Sequence, residues 1–172
     1  MFSTMILVCL TGILIHELCH IAVLSWYGYR IQALYIGLPM KPFIKISLGK
    51  FINELYLTPY FWSGMTVPIM EQKPVASKWF LINLAGPLGN LLILLLIYLL
   101  KGPSEFIDTV TFFTNGIHPA GQPGFWTIAI AMNIAFGLGE LIPYVAKDGT
   151  EILNVITGKH TRELNAVRSS NI

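Results

Sequence analysis

Three long apolar stretches, each interrupted by only a few polar positions, organise the chain. The first runs over residues 5–27 as MILVCLTGILIHELCHIAVLSWY, and two more cover 78–100 and 125–146, bounded by charge or by Gly and Pro. A helix needs about 20 apolar residues to cross a hydrocarbon core, so all three are predicted to span a membrane. Trp26 and Tyr27 close the first stretch, Trp79 and Phe80 open the second, Tyr98 lies near its end and Trp126 opens the third. Aromatic residues favour the membrane interface, so the ends agree with the spans. The connection 28–77 mixes apolar and basic residues too finely for a span and is too apolar for a free linker, which places it at the membrane surface. Within it, Lys45-Ile46-Ser47-Leu48 and Glu54-Leu55-Tyr56-Leu57 alternate around Leu48-Gly49-Lys50, the pattern of a hairpin with one apolar face. The predicted fold class is an all-α integral membrane protein with a three-helix transmembrane core and a membrane-associated β-hairpin connection. A single domain covers 1–172, ending in a tail over 147–172.

Composition supports a membrane protein. Of 172 residues, 54% are hydrophobic and only 12% charged, and the mean hydropathy is +0.64, far from an average soluble domain. The bilayer is therefore an expected partner and nucleic acid is not; the sequence leaves the oligomeric state open. No basic residue precedes the first apolar run and no small-residue cleavage site follows it, so it reads as a mature helix rather than a signal peptide. Arg30, Lys41, Lys45, Lys50 and Lys73 lie between the first two spans, with Lys78 at the boundary, and Lys147, Lys159, Arg162 and Arg168 follow the third, whereas the second connection has only Lys101. Basic loops favour the cytoplasmic side, which predicts a multi-pass protein of the cell membrane with its amino terminus outside and carboxyl tail inside.

The first span carries the run His16-Glu17-Leu18-Cys19-His20. An ionised carboxylate at membrane depth costs at least about 2.5 kcal/mol on insertion scales, so Glu17 needs a compensating partner. A metal ion supplies one. Residues four apart share a helix face, so His16 and His20 can offer two imidazole nitrogens to one zinc ion, with Glu17 alongside to take a proton from water. Such a pattern arises by chance on wet surfaces, but in lipid it is expensive without a function. Cys9 and Cys19 read as small apolar fillers; helical rotation puts Cys19 about 60° from His16, so angle alone does not exclude a thiolate ligand. The predicted topology brings the inner ends of the first and third spans to one depth. A third ligand is then sought among Asp148, Glu140, Glu151, His160 and His118, the last in the outer connection and expected to be too far away. Asp148 is also suited to cap a short helix over Glu151 to Ile156.

With these residues in view, the chain resembles the site-2 protease family of intramembrane zinc metalloproteases, which cut transmembrane segments of other proteins. His16-Glu17-Leu18-Cys19-His20 is similar to the family's metal helix, with Cys19 where glycine is common. Asn83-Leu84-Ala85-Gly86-Pro87-Leu88-Gly89-Asn90 resembles its small-residue and Gly-Pro segment, and Asn133 to Gly149, NIAFGLGELIPYVAKDG, its third core helix, with Pro143, Asp148 and Gly149 in register. The resemblance implies a zinc-dependent endopeptidase with one zinc per chain, held by His16, His20 and Asp148. It further implies Glu17 as general base, substrate contacts from Asn83, Asn90 and position 140, and transmembrane proteins or peptides as substrates. It also associates the hairpin with presenting substrate by strand addition, against which the bland alternative is an interfacial anchor.

Glu140 departs from the family pattern by standing where an asparagine is usual. An ionised carboxylate accepts hydrogen bonds but cannot donate them. Three readings stay open: a protonated Glu140, a different mode of binding substrate or metal, or a partial loss of the substrate clamp. Two other functional classes remain as alternatives, a membrane metal-binding or transport protein and an inactive relative that binds substrate without cutting it. For Gly86 and Gly89, ordinary helix packing is the expectation.

Overall fold

The computed structural model describes residues 2–59, 63–71, 73–115, 124–143 and 147–170. They are mostly helical, with one small sheet. Two helices are long and apolar enough to cross a membrane, α1 (Phe2–Trp26) and α2 (Ala76–Lys101). At about 1.5 Å rise per residue each exceeds 30 Å. The third apolar stretch is shorter than its sequence pattern implies: α4 spans Phe125–Leu138 and passes into a single 3₁₀ turn at Gly139–Leu141. Proline explains the break. Ile142 adopts an extended conformation, φ −75° and ψ 115°, as the residue before Pro143 favours, and Pro143 has no N–H with which to continue a helix.

Further helices lie between α2 and α4 and in the tail, where the sequence suggests only a short helix over Glu151 to Ile156. α3 (Pro103–Asn115) lies between α2 and α4, and α5 (Lys147–Ile156) and α6 (Lys159–Ser170) fill the carboxyl tail. Asp148 therefore sits inside the first turn of α5 rather than capping a helix that begins at Glu151.

The connection between α1 and α2 folds into a four-stranded sheet. Its strands are β1 (Arg30–Ile36), β2 (Ile44–Ser47), β3 (Ile52–Leu57) and β4 (Gly64–Ile69), in the order β2-β3-β1-β4. The expected hairpin is there as β2 and β3, antiparallel with Ile46 opposite Leu55, and Lys45 Nζ lies 2.6 Å from Glu54 Oε1 across it. It is only half the sheet. β1 pairs parallel with β3 and antiparallel with β4, so the hairpin and β4 stand on opposite sides of β1.

Three apolar clusters hold these parts together. Val8, Leu94, Ile97, Ala129 and Ile130 join α1, α2 and α4. Ile13, Leu34, Ile36 and Phe136 join α1 and α4 to β1, and Leu24, Ile31 and Ile82 join α1, β1 and α2. The sheet is thus docked on the half of α1 that carries His16, Glu17 and His20. Docking of β1 is what brings β4 over the same turn of helix.

Candidate metal centre

Two turns of α1 present His16 and His20 on one face, both buried, as their spacing of four requires. α2 passes directly over that face. A Cβ on Gly86 would collide with the Nε2 atoms of both imidazoles, so the missing side chain is what lets α2 approach the pair. Gly86 thus does more than general packing.

The first turn of α5 completes the group. Asp148 Oδ2 lies 3.2 Å from His16 Nε2 and 3.0 Å from His20 Nε2, and the two Nε2 atoms are 3.1 Å apart. One ligand atom from each residue fits within 4.8 Å of the others.

The hydrogen-bond network decides what these atoms carry. His20 Nδ1 lies 2.6 Å from the backbone carbonyl of Ile82, which can only accept, so the proton of a neutral ring is on Nδ1. His16 Nδ1 lies 2.8 Å from Asn90 Oδ1. Asn90 Nδ2 donates to the Gly12 carbonyl at 3.1 Å and to Asn133 Oδ1 at 3.0 Å, while Asn133 Nδ2 donates to the Ala129 carbonyl at 2.8 Å. This chain fixes the orientation of both amides and makes His16 Nδ1 the donor to Asn90. Both neutral imidazoles therefore aim bare Nε2 lone pairs at each other and at a carboxylate. Three acceptors with no donor among them fit a cation, and the set of two nitrogens and one carboxylate oxygen suits zinc with a fourth position open. Without a cation, imidazoles that take up a proton donate to Asp148 instead; burial alone pushes its carboxyl up, but hydrogen bonding and charge from His16 and His20 outweigh it and hold it at about 2.

The group opens into a cavity of about 490 Å³ lined also by Glu17, Asn83, Glu140 and the β4 residues Gly64 and Thr66. Glu17 is buried beside the two histidines, and Thr66 Oγ1 donates to its Oε2 at 2.7 Å.

The chain matches the sequence model of peptidase family M50 over residues 4–172. It belongs to that family. No curated protein matches the chain. M50 peptidases are the site-2 protease family, metalloproteases that use zinc, and the two apolar helices are consistent with a membrane protein of this kind.

Within this M50 chain the other candidates go to different places. Glu151 accepts a hydrogen bond from Trp79 Nε1 at 2.7 Å. His160 is buried with Nε2 2.8 Å from the Pro74 carbonyl and its ring stacked on Trp79, 6.0 Å between centroids. Neither joins the cluster. His118 lies outside the described residues. Cys19 faces Gly89 of α2 and is not part of the three-ligand group. Asn83 lines the cavity and donates to the Trp79 carbonyl at 2.7 Å. Asn90 is fully buried behind His16, its amide occupied by His16, Gly12 and Asn133, and it does not line the cavity.

Sequence reasoning missed the roles of Asn133 and Thr66. For Asn133 there was a signal, since an amide in an apolar helix needs partners. Thr66 gave none, because its contact depends on where the sheet docks.

Proposed function

We propose that this M50 peptidase is a zinc-dependent intramembrane endopeptidase that hydrolyses peptide bonds within or near transmembrane segments of other membrane proteins. The observation that carries this reading is the convergence of three acceptors, His16 Nε2, His20 Nε2 and Asp148 Oδ2, from opposite ends of the sequence. His16, His20 and Asp148 would hold the zinc, one ion per chain, and zinc bound there would supply a Lewis acid that lowers the pKa of water toward about 7. Glu17 takes the proton of the attacking water and returns it to the leaving amine as the carbon–nitrogen bond breaks.

A helical peptide bond is shielded by its own hydrogen bonds, so the substrate unwinds locally before it is cut. The cavity wall formed by β4 suits an extended substrate. Among the described residues β4 pairs only with β1, which leaves its outer edge free for strand addition. This reading moves substrate presentation from the β2–β3 hairpin to the strand beside Glu17. Asn83 and Glu140 line the cavity as substrate contacts, whereas Asn90 serves the metal side. α4 and the turn at Gly139–Leu141 complete a three-span core in this reading, with the active site toward the cytoplasm, the amino terminus outside and the carboxyl tail inside.

Glu17→Gln in purified protein, assayed against a transmembrane peptide in detergent or vesicles, tests the assignment. Zinc stays bound in the variant while cleavage stops. Continued cleavage would remove Glu17 as the base, and zinc flux into vesicles without any peptide hydrolysis would favour a transport role instead.

A further inference from the structure

Glu17 is 4% exposed, and its carboxylate rests against one face of β4. Thr66 donates to Oε2 at 2.7 Å. Gly64, two residues earlier and so on the same face, abuts the other oxygen: a Cβ there would stand 2.6 Å from Oε1 and 2.8 Å from Cγ. The strand itself is held in register by β1, with Thr66 opposite Leu34 and Gly64 opposite Ile36. Leu34 and Ile36 pack on Ile13, one turn of α1 before Glu17. The hydroxyl of Thr66 is therefore aimed by the same helix that carries the carboxylate it meets.

A lone carboxylate beside an open cavity has several rotamers available, and one turned onto the metal would fill the position that hydrolysis needs free. A single fixed donor removes that freedom. We propose that Thr66 is a positioning residue for Glu17: its hydroxyl holds the carboxylate in one orientation, so the strand that offers its free edge to substrate also sets the base. This inference rests on the reading of Glu17 as the base.

The test compares Thr66→Val, which keeps the shape and loses the hydroxyl, with Thr66→Ser, which keeps the hydroxyl. Loss of a hydrogen bond to a charged group corresponds to about tenfold to a hundredfold, so kcat of Thr66→Val should fall by that factor with KM and zinc content unchanged. Thr66→Ser should recover most of the loss. A second readout needs neither metal nor turnover. In metal-stripped protein, carbodiimide labelling of Glu17, followed by peptide mass spectrometry, should be faster in Thr66→Val than in wild type and slow again in Thr66→Ser. Unchanged kcat and unchanged labelling in Thr66→Val overturn the proposal, as does equal loss in both variants accompanied by loss of zinc. If Glu17→Gln still cleaves, the reading of the base fails instead, and the labelling experiment still decides whether Thr66 holds the carboxylate.

Discussion

His16 Nδ1 lies 2.8 Å from Asn90 Oδ1, and the Asn90 amide is oriented in turn by Gly12 and Asn133. A residue on α2 thereby fixes the tautomer of the His16 imidazole on α1, and a residue on α4 fixes the residue on α2. Groups that orient a metal-bound histidine typically matter by about tenfold to a hundredfold in metal affinity. Asn90→Ala should weaken zinc binding by that factor, measured by competition with a chelator of known affinity. It should also lower stability by about 1–3 kcal/mol, because buried partners lose their hydrogen bonds. Unaltered zinc affinity would mean that the His16 ring needs no help from Asn90.

Gly86 offers a second test of the same architecture. Its Cα hydrogen faces both Nε2 atoms, and even one methyl group there has nowhere to go without moving an imidazole or the backbone of α2. Gly86→Ala should lower zinc affinity by more than about tenfold. Leu88→Ala, on the exposed side of the same helix, should leave it unchanged. Equal zinc content in both variants would show that the helices can separate without cost to the site.

The shared face of His16 and His20 on α1 could be read directly from the sequence because it depends on local geometry: histidines four apart share a face wherever the helix sits. Asp148 was different. By residue type it was one of five candidates, and only the resemblance singled it out, since nothing local says where the first turn of α5 docks. The β2–β3 hairpin was visible through its alternation around Gly49. β1 was not: Ala33, Leu34 and Ile36 are all buried, because the strand is covered by α1 and flanked by two neighbours, which erases the period of two. β4 was hidden by Pro68, a residue that argues against a strand except at an edge, which is where β4 lies. Glu17 was legible as an acid in need of a partner. Its partner Thr66 was not, because that contact requires the parallel pairing of β1 with β3 and the placement of β4 to be known first.

Acidification should release zinc by a route that the ligand set defines. Coordinating imidazole nitrogens must be free of protons, so protons compete with metal at His16 and His20. Asp148 takes little part, because its neighbours hold its carboxyl at about 2, below the ordinary value of 3.8. Since that folded value is the depressed one, the stabilisation it brings to metal-stripped protein is present above about pH 3.8 and is lost as pH falls through about 2. Zinc affinity measured against pH should therefore decline as pH falls, with a slope approaching about two protons per ion. A slope near three over the same range would place Asp148 among the groups that release the metal.

Replacing Asp148 tests its proposed place as third ligand against the acids around it. Glu151 is engaged by Trp79, and His160 by Pro74 and Trp79, so neither is free to substitute. Glu140 alone among the described candidates shares the cavity with the two histidines. Loss of a direct ligand should exceed the effect of an orienting group, so Asp148→Asn should weaken zinc binding by more than about a hundredfold and abolish cleavage. Adding Glu140→Gln to Asp148→Asn should change zinc affinity little further, whereas Glu140→Gln alone should retain the metal and alter KM for the peptide. Should Asp148→Asn hold zinc at full stoichiometry and lose it only when Glu140 is also changed, the ligand role would pass to Glu140.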